Sequence, residues 1–200
     1  MKIKRQGIYY IGVDLGQLQD FTAISVLERH AKQLHLRHIE RLPLGTSYPA
    51  VVDTIKKLTD TPQLKQAQRL SLVVDSTGCG LPVLDYLTRA GLRCSVTGIS
   101  IHGGNTVSQE GNRWLVPKRD LIGGLQVALQ NGDLKVAAGL PHGDILITEL
   151  SNYTMKINLN GNTQFEAWRE SIHDDLVLSV ALPVWYASKN NFVDNFHNLL

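Results

Sequence analysis

The spacing of apolar and polar positions divides the chain into elements. Residues 7–16, GIYYIGVDLG, form a continuous apolar run ended by an acid and a glycine, which predicts a central strand buried on both faces. Residues 20–29 (DFTAISVLER) and 33–42 (QLHLRHIERL) follow after short polar breaks. Each is rich in β-branched residues or alternates, so the three segments predict an antiparallel meander. The period then turns helical. In residues 47–60, Val51, Ile55 and Leu58 share one face, Ser47 is a candidate N-cap and Pro49 lies in the first turn.

A second buried strand, RLSLVVDSTG at 69–78, again ends in an acid. A helix at 81–91 closes on Gly91 and a strand follows at 92–101. Residues 102–120 are glycine-rich and polar, the pattern of a loop or small hairpin at an edge. Helices are predicted at 118–132, with Leu121, Leu125 and Ala128 on one face, at 143–153 and at 173–188. Between the last two, residues 154–168 read as a hairpin turning at Asn160-Gly161. The order gives an α/β fold whose mixed sheet is antiparallel on one side, parallel on the other, and covered by helices.

With 200 residues and 43% hydrophobic content, the chain suits a single domain with a core of its own. A formal charge of +2 allows a polyanionic partner without demanding one. Cys79 and Cys94 match neither a zinc motif nor a disulfide framework and are expected as reduced thiols. No stretch is long enough for a membrane span, so a soluble, intracellular protein is expected.

The candidate chemistry lies where elements end. Asp14 and Asp75 each close a buried strand. If those strands run side by side and parallel, their carboxylates meet at one edge of the sheet. Carboxylates that close share a proton or hold a divalent cation. The sequence HDD, His173-Asp174-Asp175, can bring further acids there from the start of a helix, although acids at that position also serve as ordinary helix punctuation. Oxygen-only ligands select Mg2+ or Mn2+, and a pair of such ions can activate water for phosphodiester hydrolysis.

With GVDLG, VVDSTGCG and HDDLVLSVAL in this order, the chain resembles the C-terminal nuclease domain of phage terminase large subunits. These belong to the ribonuclease H-like superfamily, with Holliday-junction resolvases and retroviral integrases. The likeness extends through VPKRDLIGGLQVALQNGDLKV and LITEL, and so over most of the chain. It implies a five-stranded-type ribonuclease H-like sheet and a Mg2+- or Mn2+-dependent endonuclease that cuts concatemeric double-stranded viral DNA during packaging. Residue by residue, Asp14 and Asp75 match the first two metal ligands. The HDD aspartates match the third, with Asp175 favoured over Asp174 as the direct ligand and His173 as a neighbour of the site. An ATPase motor domain, a small terminase subunit and a portal are the implied partners, and the host cytoplasm the implied location. No G-x-x-x-x-G-K-[ST] loop occurs, so residues 1–200 are expected to be one nuclease domain without the motor, either part of a longer chain or free-standing.

Arg113, Lys118 and Arg119, together with Lys2, Lys4 and Arg5, are candidates for phosphate contacts. Trp114 and Trp168 are candidates for stacking on bases or for the core. Two other readings remain open on the sequence alone. One is an actin-like or sugar-kinase-type ATPase lobe, suggested by the Asp-x-Gly turn; the other is a non-catalytic nucleic-acid-binding or assembly module on the same fold.

Overall fold

A computed structural model describes residues 7–16, 20–78, 80–159 and 173–197. Strands β1 (Ile8–Asp14), β2 (Ala23–His30) and β3 (Gln33–Arg41) form the expected antiparallel meander. Helix α1 (Tyr48–Thr59) and the short α2 (Pro62–Lys65) cross to β4 (Arg69–Asp75), which lies parallel to β1 with Val74 beside Val13. Helix α3 (Gly80–Arg89) leads to β5 (Ser95–His102), parallel to β4. The segment 102–120 holds β6 (Ser108–Glu110) and β7 (Arg113–Pro117), an antiparallel pair in which β7 extends the parallel half of the sheet. Helix α4 (Lys118–Gln130), strand β8 (Leu134–Val136), α5 (Gly143–Leu159) and α6 (Asp175–His197) complete the order.

Among the described residues the sheet has eight strands in the order β6-β7-β5-β4-β1-β2-β3-β8, more than the five-stranded type expected. The small β8 pairs parallel with β3 and was hidden in sequence behind the end of α4. A second correction concerns residues 154–159, expected in the first arm of a hairpin and found inside α5. No glycine or proline interrupts the chain between Gly143 and Leu159, so extending the helix adds one hydrogen bond per residue where a strand would need a new start. The turn expected at Asn160-Gly161 lies outside the described residues.

Each face of the sheet carries its own core. Ile11, Val13, Ile24, Leu72 and Val74 pack with α1 and α3 on one side. Tyr10, Ala23, Leu27, Val73 and Ile99 pack with α4, α5 and α6 on the other. Helix α6 is the central element of the second face and is buried almost all round, from Asp175 to Ala187. It runs antiparallel to β1. Its later part is held where Arg29, opposite Ile8, donates to the Ala187 carbonyl at 2.8 Å. The twelve steps from Asp175 to Ala187 rise about 18 Å, close to the roughly 20 Å that β1 spans. The N-terminus of α6 therefore reaches the end of β1 that carries Asp14.

Two small residues make this contact close. Pro183 has no N–H, so the Ser179 carbonyl one turn earlier loses its helical donor, and Ser25 Oγ donates to it at 2.7 Å. Gly12 lies beneath the same turn. A Cβ there would stand 1.9 Å from Ser179 O and 2.5 Å from Pro183 Cδ.

Candidate active site

Strand parity decides which side chains share the face of α6. In β1, Tyr10 belongs to that face and Ile11 and Val13 to the other, so Asp14 follows Tyr10 and Gly12 toward α6. In β4, Val73 faces α6 while Leu72 and Val74 face away, which places Asp75 on the same side. The parallel register sets Asp14 and Asp75 at neighbouring strand ends. Asp174 and Asp175 arrive from above at the start of α6. Lys118, directly after β7 at the start of α4, donates to Asp174 Oδ2 at 2.7 Å. Four aspartates and one lysine thus converge at a single edge.

The electrostatics record that crowding. Burial pushes the Asp14 carboxyl well above its usual range, the charges of Asp75, Asp174 and Asp175 push it further, and Lys118 opposes them. Asp75 is 8% exposed and raised by burial. Opposing the rise in Asp75 are bonds from Thr77, including its N–H at 2.7 Å to Oδ1, a hydrogen bond with Asp14, and Lys118. Two carboxyls this close share a proton or hold a cation between them.

Asp175 has a different environment from Asp174. Arg41, the last residue of β3, donates from Nε to Asp175 Oδ2 at 2.7 Å and from Nη2 to Oδ1 at 3.0 Å. The same Nη2 donates a short bond to Glu149 of α5. Glu149 Oε2 in turn accepts the Val177 N–H in the first turn of α6 at 3.2 Å. Burial and the Asp175 charge raise Glu149 to about 7, against the bond from Val177 and the attraction of Arg41. Asp175 is raised by burial, with Arg41 opposing. The guanidinium also lies over the Phe21 ring, 4.8 Å from its centroid, and His173 meets Phe21 edge to face at 5.2 Å.

The order of the sequence did not reveal Arg41 or Glu149. Both left a trace, however. Glu149 falls three residues after Leu146 on the buried face of α5, where an unpartnered charge would be costly. Arg41 reaches α6 because the β2–β3 register shifts between Val26 and Leu27. Leu34 and Leu36 face α6, and after the extra residue so do Ile39 and Arg41.

Donor chemistry favours a hard divalent cation. Among the described residues, Asp14, Asp75, Asp174, Asp175 and Glu149 are opposed by Arg41, Lys118 and His173, an excess of carboxylate oxygens over cations. Among the described residues, no three His, Cys, Asp or Glu side chains already form a metal-coordinating group. Asp174 and Asp175 are turned instead toward Lys118 and Arg41.

Of the basic candidates among the described residues, Lys118 is the one that reaches this cluster. Arg119 is exposed and bonds the Asn105 carbonyl at 3.3 Å and its neighbour Asp120 at 3.4 Å. Arg113 lies two strands away from β4 and, by parity with Trp114, on the opposite face of the sheet. Trp114 packs edge to face on Trp185 at 5.3 Å, a core contact. Burial pushes the Cys94 thiol up to about 11. Lys2, Lys4, Arg5, Cys79 and Trp168 lie outside the described residues. No helix of the described residues is long and apolar enough to cross a membrane.

No protein-family model matches the chain. It is similar to two curated terminase large subunits, from Thermus phage G20c and Thermus virus P23-45. Identity is 25% over 182 and 175 residues respectively, in each case 88% of this chain and 31% of the relative. The chain therefore spans about a third of the length of the curated relatives it matches. Among solved structures, the large terminase nuclease of phage G20c with bound magnesium superposes with a TM-score of 0.61 and 22% identity, covering 90% of this chain and 82% of that one. The human cytomegalovirus terminase nuclease domain, manganese-soaked and inhibitor-bound, gives 0.56 at 10% identity, over 94% and 86%. The chain shares the fold of these nuclease domains and is similar in sequence to part of terminase large subunits.

Proposed function

We propose that this chain is a terminase-type nuclease domain that hydrolyses phosphodiester bonds of double-stranded DNA with Mg2+ or Mn2+, and that it cuts concatemeric viral DNA during packaging. The observation that carries this reading is the convergence of Asp14, Asp75 and Asp174 at one sheet edge, on the face covered by α6. Two divalent ions held there would activate a water and stabilise the leaving oxygen at phosphorus. The similarity to terminase large subunits supports the DNA substrate, and the magnesium in one structural neighbour supports the ion.

The ligand assignment differs from the sequence-based expectation in one respect. Asp174 takes the place given to Asp175, because both Asp175 oxygens already accept from Arg41. Asp174 is held by a single lysine amine, which presents one charge and no fork. Lys118 keeps the metal-free carboxylates from repelling one another and offers a positive group beside the reacting phosphate. His173, leaning on Phe21, steadies the turn before α6. Contacts to DNA by Lys118 and Arg119 would be to the backbone, giving salt-sensitive binding with little sequence preference. An ATPase motor domain, a small terminase subunit and a portal are the partners this role requires.

Digestion of supercoiled plasmid tests the proposal. The chain is expected to nick and linearise DNA with Mn2+ or Mg2+ and to be silent with chelator. Asp75→Ala should be inactive while still melting cooperatively. Cutting by pure, folded Asp75→Ala would reject the reading in favour of a binding or assembly module.

A further inference from the structure

The Arg41–Glu149–Asp175 cluster is buried more deeply than a surface ion pair, with side-chain exposures of 13% for Arg41 and 6% for each acid. Three charged groups stripped of water are a poor source of stability, since apolar side chains of similar volume commonly do as well. Their distinctive property is directional. A guanidinium fork fixes a carboxylate in one plane, which neither a hydrophobic contact nor a lysine can do.

The fork is also placed by a specific backbone feature. Without the extra residue in β3, Arg41 would point to the opposite face of the sheet. With it, Arg41 joins three elements: the end of β3, α5 through Glu149, and the first turn of α6 through Asp175. Glu149 adds a second hold on that turn through the Val177 N–H, and Phe21 stacks on the guanidinium from the β1–β2 connection. Asp174 directly precedes α6 and its carbonyl accepts the Leu178 N–H at 2.9 Å, so it caps the helix whose first residue Arg41 holds. Locking Asp175 onto Arg41 therefore restrains Asp174 as well.

We propose that Arg41 and Glu149 are positioning residues: they clamp Asp175 and the first turn of α6 so that Asp174 is the carboxylate aimed at Asp14 and Asp75. This rests on the nuclease reading above and assigns its third ligand. Asp175 is then a strut of the site and not a ligand.

Mn2+ affinity of the metal-free chain, measured by calorimetry, tests the clamp beside kcat and KM for plasmid nicking. Arg41→Lys keeps the charge and removes the fork. It is expected to weaken Mn2+ about 10- to 100-fold, the usual effect of losing a group that orients a ligand, and to lower kcat while KM for DNA is unchanged. Glu149→Gln, nearly isosteric, should act in the same direction and carries the test if Arg41→Lys does not fold. Asp175→Asn should weaken Mn2+ as Arg41→Lys does, and the double variant should be little worse than either single one. Asp174→Asn should lose Mn2+ binding altogether.

Were Asp175 the ligand instead, Asp175→Asn would abolish binding and Arg41→Lys, by releasing Asp175, would leave it unchanged or tighten it. Either result overturns the proposal, as does full activity in both Arg41→Lys and Glu149→Gln. Failure of the underlying reading looks different: Asp14→Ala and Asp75→Ala would then bind Mn2+ and nick like the unaltered chain.

Discussion

At the scale of single residues, the site depends on small groups that satisfy others. Ser25 illustrates this. Its hydroxyl is the donor for the Ser179 carbonyl, which Pro183 leaves without one. Ser25→Ala should strand that buried acceptor at a cost of about 1–3 kcal/mol, with a fall in Tm of about 2–4 °C per kcal/mol for a chain of this size. Thermal melting of the metal-free variant checks it, and an unchanged Tm would show that the carbonyl finds another partner. Ser25 resembles any strand serine in sequence, and Pro183 lies inside the helix predicted at 173–188. Neither residue announces that the two belong together, because the hydrogen bond spans 154 positions of chain.

At the scale of elements, the packing of α6 on β1 and β2 determines where the acids go. Gly12 permits that approach, since a Cβ would collide with backbone at Ser179 O and no side-chain rotation could relieve it. Gly12→Ala should destabilise the fold by about 3 kcal/mol or more, the upper range for overpacking. Where it still folds, nicking should fall by more than the loss of folded protein explains, because a shifted α6 carries Asp174 with it. Comparing the folded fraction from denaturant melts with specific activity distinguishes the two effects. The positions of β1, β4 and α6 were legible as elements, since long apolar runs bounded by acids and glycine leave few alternatives. The end of α5 was not. Over 154–159 a short alternating run fits strand and helix equally, and helix continuity decides it.

At the scale of the whole molecule, the excess of carboxylates at one edge should make stability depend on pH and on divalent ions. Asp14, Asp75 and Asp175 are raised in the folded chain, and Glu149 is raised to about 7, with Arg41 and Lys118 the opposing cations. The unfolded chain releases these protons near pH 4, whereas the native one keeps them to higher pH. The native state therefore binds more protons in the intervening window, and its stability falls as pH rises from about 4.5 through 7. The metal-free protein should melt at a higher temperature near pH 5.5 than near pH 8. Added Mg2+ or Mn2+ should raise Tm more at pH 8, where the carboxylates are free to bind it. Melting curves across this range test both statements; a Tm that climbs from pH 5.5 to 8 without metal would contradict them. The sequence by itself determined the meander, the crossover to a parallel strand, and the acids at the ends of β1, β4 and the last helix. All of these follow from local period and punctuation. Only the tertiary structure decided that Arg41 and Glu149 belong to the site and that Asp174 and Asp175 have different partners. Those outcomes depend on a one-residue bulge and on which of two adjacent side chains meets a guanidinium, and nothing in the spacing of two neighbouring aspartates can tell them apart.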